Sequence, residues 1–142
     1  MLGLVRVYQI PIEPIPTPRP RAGKHGVYNP KKYTDYKKSL ILYLRSLNIP
    51  KKDYDYIHAR FYVTYPKNTP KKNLIDNFPL RQCFDCDNVI KGLCDALEQA
   101  YIIDNDRQIS SMFIQKYRTT KERGFVEFDL QTIEENPDIH GE

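Results

Sequence analysis

Acidic residues and a lysine recur at short intervals in the segment FDCDNVIKGLCDALEQAYIIDNDRQ. It contains two Asp-x-Asp pairs, Asp85 with Asp87 and Asp104 with Asp106, and Lys91 lies between the pairs. Carboxylates bind hard cations such as Mg2+, and a bound cation can activate water and stabilise the charge that develops on a phosphate. A nearby lysine can neutralise that charge further. These residue types in this order predict a site that hydrolyses phosphodiesters.

The first pair has both a structural and a chemical interpretation. If the segment is extended, the side chains of Asp85 and Asp87 leave the same face, and a bound cation would relieve their repulsion. Asp87 also stands where a helix N-cap would stand, and aspartate is common there for stability alone. Asp85 has no such structural role, so it favours the metal interpretation.

The residues after this pair leave further alternatives open. Asn88, Lys91 and Asp95 share one helical face, so Lys91 either pairs with Asp95 on the surface or reaches back to the phosphate being cut. Asp104 and Asp106 either bind metal or belong to a polar turn, because IIDNDRQ is typical of a loop that enters a strand. The chain is long enough to bring the second pair back to the first, and it could equally offer Asp106 to a partner subunit.

Basic residues are concentrated near the N-terminus of a chain whose formal net charge is +4. Residues 11–29 form a proline-rich arm, which we expect to be extended and stiff because proline fixes φ and removes hydrogen-bond donors. The candidate phosphate-binding residues are Arg19, Arg21, Lys24, Lys31 and Lys32. A basic patch this local favours a polyanionic partner, and the alternative is an ordinary solvated face. The tail 131–142 is acidic.

The pattern of apolar residues predicts an α+β fold. We expect a single domain over residues 1–142, with the order β-α-β-α-β-β and a mixed sheet on which two helices pack. The expected strands are 4–10, 54–65, 109–117 and 125–130, the last two as a hairpin around TTKERG, and the expected helices are 30–47 and 87–100. The inward side of the second helix should include Val89, Ile90, Leu93, Cys94, Leu97 and Tyr101. The polar loop 66–81 is long for a compact domain unless it is functional or mobile.

The three cysteines do not form a disulfide framework or a strong metal motif. Cys83 and Cys86 make one CxxC, but no second CxxC or HxxxH pair completes a zinc site. We interpret Cys86 and Cys94 as buried, reduced thiols. No apolar run is long enough to span a bilayer, and the N-terminus lacks the features of a signal peptide, so we expect a cytoplasmic protein without a membrane partner.

The run DxDNxxKxxxDAL followed by DxQ resembles the RusA family of Holliday-junction resolvases, which is common in phages and prophages. The arm PTPRPRAGKHGVYNPKKYTDYK is similar to the arm of that family's phage branch, so the resemblance covers about residues 14–38 and 84–118. It implies a homodimeric, Mg2+-dependent endodeoxyribonuclease, with Mn2+ able to replace Mg2+, in a bacterial or phage-infected cell. Its substrate would be branched double-stranded DNA, nicked at four-way junctions in recombination and repair.

Position by position, the resemblance implies a catalytic set and a supporting set. The catalytic set is Asp85, Asp87, Lys91 and Asp106, whose three aspartates would hold the metal, and the supporting set is Asn88, Asp95 and Gln108. Asp104 is an extra candidate ligand, because relatives often have two adjacent acids where this chain has Asn105 and Asp106. The competing hypothesis is a non-catalytic nucleic-acid-binding module whose acids are caps and turns. Two Asp-x-Asp pairs and a lysine are more than caps and turns need.

Overall fold

A computed structural model describes residues 6–18, 21–23, 26–28, 30–81 and 85–137, with the backbone alone for 21–23 and 26–28. Some predictions therefore fall on residues outside these ranges. They concern Arg19, Lys24, the expected helix cap Asn29, Cys83 and the start of the strand expected at 4–10.

A five-stranded mixed sheet forms the centre of the fold. The strands of the chain are β1 Tyr8–Ile10, β2 Arg21–Gly23, β3 Gly26–Tyr28, β4 Tyr56–Thr64, β5 Phe78–Pro79, β6 Ser111–Thr119 and β7 Phe125–Gln131. The large sheet has the order β1-β7-β4-β6-β5, and β2 pairs with β3 in a separate hairpin. β4 runs parallel to β6 and antiparallel to β7.

Two helices, α1 Lys31–Ser46 and α2 Cys86–Gln99, share one hydrophobic core with one face of this sheet. Val89, Leu93 and Leu97 recur at every fourth position of α2 and are fully buried. Alternate residues of β4 supply the sheet side of the same core. Burying a side chain of this size contributes about 1.5–3 kcal/mol, so the apolar stripe fixes which face of α2 turns outward. The predicted α+β class, with two helices on a mixed sheet, is confirmed.

The predicted hairpin of the last two strands is wrong. β6 and β7 do form, but β4 lies between them, and the chain crosses over the end of β4 to connect them. Tyr62 of β4 explains this order, because its ring stacks on Tyr117 of β6 at 5.3 Å and on Phe125 of β7 at 4.2 Å between centroids. Phe61 is buried on the opposite face, which packs on the helices, whereas the face of Tyr62 also carries the half-buried polar residues His58 and Arg60.

Three local predictions also need correction. Residues 21–28 of the arm are not simply extended, because β2 and β3 pair there, from Arg21 opposite Tyr28 to Gly23 opposite Gly26. α1 begins after Pro30, which keeps an extended backbone and is not the first helical residue. Tyr101 is 72% exposed instead of inward, because its positive φ of 61° turns the chain away after α2.

Candidate active site

The first Asp-x-Asp pair lies at the N-terminus of α2. Asp85 occupies the N-cap position with an extended backbone, and Asp87 lies in the first helical turn. The predicted cap at Asp87 is therefore wrong, because the helix already begins at Cys86. The sequence predicts that Cys86 is buried, but it is only half-buried. Asp85 caps by position only, since its side chain makes no capping hydrogen bond.

Both carboxylates of this pair are exposed to solvent. Within the described part of the chain, neither Asp85 nor Asp87 makes a side-chain hydrogen bond or an ion pair. Negative charge at this end of a helix interacts favourably with the helix dipole, so the two charges are tolerated close together. Carboxylates in this state can accept a cation without first breaking a protein contact.

Lys91 and Asp95 do not form the surface pair that their spacing allows. Asp95 instead accepts a hydrogen bond from the ammonium of Lys37 on α1, with Nζ and Oδ2 3.4 Å apart. Asp95 thereby links the two helices, which is the structural role that the sequence favoured. Lys91 is exposed one turn after Asp87, and no described acid pairs with it. The structure thus leaves its charge free to act on a phosphate.

Of the second Asp-x-Asp pair, Asp106 begins a 3-10 turn, Asp106–Gln108, and Asp104 lies just before it; a capping box holds the turn. The side chain of Asn105 accepts from the amide of Arg107 at 2.8 Å, and Gln108 Oε1 accepts from the amide of Asp104 at 2.9 Å. The amide group of Gln108 also donates to the carbonyl of Tyr54 at 3.3 Å. Gln108 therefore positions the turn, and the N-x-x-Q spacing is a sequence signal that could have predicted this role.

The two aspartates of this turn differ in their surroundings. Asp104 forms an ion pair with Lys51, with 2.6 Å between Oδ1 and Nζ. The Asp106 carboxylate is exposed, and among the described residues it has no hydrogen-bond or ion-pair partner. Of the two, Asp106 is the one whose oxygens remain free for a metal.

Asp106 lies against the second half of α2 and not beside its N-terminus. Its amide donates to Glu98 Oε1 at 3.3 Å. Burial, together with the negative charges of Asp106 and Asp95, raises the pKa of the Cys94 thiol to about 12. Cys94 is seven residues after Asp87, which corresponds to about 10 Å along a helix.

The described residues include no group of three or more His, Cys, Asp or Glu side chains close enough to hold a metal ion. The three predicted metal ligands are thus not gathered into one cluster within a single described chain. The donors nevertheless suit Mg2+, which is usually bound by one or two carboxylates together with waters and substrate phosphates. Asp85 and Asp87 fit such a partial site.

The proline-rich arm is attached to the site helices at a point that the sequence did not reveal. Thr17 donates its amide to the carbonyl of Asn88 on α2 at 2.9 Å, and its hydroxyl lies 2.8 Å from that of Tyr33 on α1. Burial raises the pKa of Tyr33, while the hydrogen bond from Thr17 lowers it. The arm therefore approaches α2 within one turn of Asp87.

The arm is also attached at its start. The carboxylate of Glu13 accepts three hydrogen bonds, from the amide and hydroxyl of Thr64 at 3.1 and 3.0 Å and from the amide of Gly124 at 2.8 Å. No local spacing in the sequence connects residues so far apart.

The basic residues beyond the arm lie where a phosphate could approach. Lys31 and Lys32 are exposed in the first turn of α1, a position where positive charge opposes the helix dipole. Their exposure is compatible with phosphate binding and also with the alternative of an ordinary solvated face. The backbone of Arg21 lies in β2, and Arg19 and Lys24 lie outside the described residues.

This α+β domain presents two aspartates and a lysine without described side-chain partners on one helix, beside a basic arm. The chain belongs to the RusA endodeoxyribonuclease family, because the family model described as Endodeoxyribonuclease RusA matches residues 11–128 of its 142. The match includes the arm, both helices and both Asp-x-Asp pairs. No curated protein matches the chain. None of the helices in the described ranges is long and apolar enough to cross a membrane.

Proposed function

We propose that this endodeoxyribonuclease is Mg2+-dependent and hydrolyses phosphodiesters at four-way or other branched DNA junctions, in recombination and repair, as a homodimer. The observation that carries the proposal is the outer face of α2. Asp85 and Asp87 have no described side-chain partner there, and no described acid pairs with Lys91, since Asp95 is bound by Lys37. The family match supports the nuclease class, and the family acts on branched DNA.

Asp85 and Asp87 would hold the cation, with Asp106 as a further carboxylate, and Mg2+ would supply Lewis acidity at the phosphate and a more acidic water. Asp106 lies against the second half of α2, away from Asp85 and Asp87. In the proposed homodimer, the partner chain would supply a second copy of each carboxylate. A third ligand can then come from the other chain or from the substrate phosphate itself.

The residues of the chain divide the remaining work. Lys91 offers a positive charge to the phosphate in the transition state, where such a contact accelerates the reaction. Arg19, Arg21 and Lys31 would bind flanking phosphates. Thr17 keeps the arm at a fixed place on α2, so a phosphate bound by the arm is presented near Asp87.

The test is cleavage of a synthetic four-way junction beside a linear duplex of the same sequence, with Mg2+, Mn2+ or EDTA. We expect nicking of the junction with either cation and none in EDTA. Asp85→Asn and Asp87→Asn should each lower the rate by orders of magnitude while junction binding persists, because the variant loses a ligand charge and some repulsion of DNA. Asp35→Asn, which changes an exposed aspartate on α1 that belongs to neither the catalytic nor the supporting set, is the control.

Two outcomes would contradict the proposal. Cleavage that continues in EDTA would exclude the metal. Junction binding without cleavage under any cation would favour the non-catalytic binding module, in which the acids are caps and turns.

A further inference from the structure

We propose that residues 66–79, here called the basic lobe, form a second DNA-binding surface that contacts the phosphates of a duplex arm independently of the proline-rich arm. The inference rests on the proposed function, because it takes DNA as the substrate. It assigns a role to the long loop that no catalytic step uses.

The charge of the basic lobe is directed outward. Its three lysines, Lys67, Lys71 and Lys72, are exposed, and none forms an ion pair with another described residue. Its single acid, Asp76, accepts a hydrogen bond from the amide of Thr120 at 3.0 Å, and this contact lowers the pKa of Asp76. The carboxylate of Asp76 is thus engaged by the backbone of Thr120, while the three lysine side chains are exposed to solvent.

The basic lobe is held in place at several points, although it is almost wholly exposed. The hydroxyl of Tyr65 donates to the carbonyl of Ile75 at 2.7 Å and accepts from its amide at 3.2 Å. The amide of Asn77 donates to the carbonyl of Arg118 at 2.9 Å, and β5 then pairs with β6 as the edge strand of the sheet. A surface fixed before binding loses little conformational entropy when a ligand docks.

The basic lobe leads directly into the candidate active site. The amide of Leu80 donates to the carbonyl of Lys116 at 3.0 Å, and only four residues lie between Leu80 and Asp85. Such a segment spans at most about 17 Å when extended. A duplex bound along the lobe would therefore lie within one or two turns of DNA from the N-terminus of α2.

Exposed apolar side chains lie beside the lysines and help to decide which kind of partner binds the basic lobe. Leu74, Ile75 and Phe78 are 39%, 53% and 43% exposed. A second copy of the chain on this surface would set the lysines of one lobe against those of the other in a two-fold contact, which is repulsive. Branched DNA suits both features, because phosphates pair with lysine and apolar side chains contact bases where the stack opens.

The test measures binding in EDTA, so that cleavage does not enter. The probes are a four-way junction and a linear duplex, titrated at several salt concentrations. For the triple variant K67A/K71A/K72A we expect a slope of log K against log salt that is flatter by up to about 2.7 units, from about 0.9 per duplex phosphate. The control K38A removes an exposed lysine of α1 that forms no ion pair with another described residue, and it should leave the slope near that of the parent.

A second variant separates preorganisation from charge. Tyr65→Phe removes the hydroxyl that holds Ile75 but leaves every lysine in place. We expect weaker junction binding with an unchanged salt slope, and Tyr43→Phe, on the exposed side of α1, should bind as the parent does.

The outcomes distinguish this inference from the proposed function. An unchanged slope in the lysine variant, with normal binding and cleavage by the parent, would overturn the role of the lobe and leave the nuclease proposal intact. If L74S/I75S dissociates an oligomer in sedimentation without changing DNA affinity, the lobe is a protein interface and the inference is wrong. A parent that binds no DNA would contradict both proposals.

Discussion

At the level of single residues, the roles of Lys91 and Asp95 are decided by a neighbouring helix. Lys37 of α1 takes the carboxylate that Lys91 could have paired with. The consequence is that Lys91 contributes little to the fold and that its charge can be used in the transition state. A residue of this kind should affect rate more than stability.

We therefore predict that Lys91→Ala lowers the single-turnover cleavage rate by an amount equivalent to about 2–4 kcal/mol, with little change in junction affinity. Lys37→Ala is the control, because it breaks the partly exposed pair with Asp95 and should cost at most about 1 kcal/mol of stability. A single-turnover assay at saturating enzyme measures both variants. An unchanged rate for K91A would remove Lys91 from the catalytic set.

Asp104 and Asp106 give a second prediction at this scale. Asp104→Asn should keep near-parental cleavage and lose at most about 1 kcal/mol of stability, because only its exposed pair with Lys51 weakens. Asp106→Asn should lower cleavage by orders of magnitude at similar stability. Cleavage rates and urea unfolding of the two variants decide this. Equal loss of activity in both would return Asp104 to the list of ligands.

At the level of elements, the arm is expected to work only while it is fastened to the helices. Thr17→Val removes the hydroxyl next to Tyr33 and leaves a half-buried phenol without this partner, which costs about 1–3 kcal/mol. We predict faster tryptic cleavage at the basic residues of the arm and a higher KM for the junction. Thr34→Val, whose hydroxyl contacts only the carbonyl of Pro30, should match the parent in both assays. Identical proteolysis of T17V and T34V would contradict this fastening.

Local sequence patterns predicted the helices and strands themselves better than they predicted which strands lie next to each other in the sheet. The helix α2 could be predicted because Val89, Leu93 and Leu97 bury one stripe, and the strands because their residues alternate. The partner of β6 could not, since a turn such as TTKERG suits a crossover as well as a hairpin. The stacking of Tyr62 on Tyr117 and Phe125 accompanies the observed order and depends on strands distant in the sequence.

The candidate site shows the same division. Residue types and spacing identified Asp85, Asp87 and Lys91, because their chemistry is local. The contact between Lys37 and Asp95 spans 58 positions, and that between Thr17 and Tyr33 depends on where the arm crosses α1. Contacts of this kind follow from tertiary packing and have no signature in a single sequence.

At the level of the whole molecule, Gly124 joins the arm, β4 and the crossover between the last two strands. A Cβ on Gly124 would collide with the carbonyl of Tyr62 and come within 2.7 Å of the Glu13 carboxylate. Gly124→Ala should therefore destabilise the protein by about 1–3 kcal/mol, and the arm should become more sensitive to trypsin. Glu122→Ala, in the same turn with an exposed side chain, is the control in urea unfolding. If G124A is as stable as E122A, the backbone around Gly124 can shift to accept the added Cβ, and the prediction is wrong.

The pairing of β1 with β7 also has a consequence for how the protein folds during its synthesis. Tyr8 lies opposite Phe128, so β1 can join the edge of the sheet only after residues more than a hundred positions away have been made. Folding dominated by such distant contacts is slow, and a chain still on the ribosome lacks β7 when both Asp-x-Asp pairs have already been made. The order of synthesis thus produces the candidate active-site residues before β7, the strand with which β1 must pair.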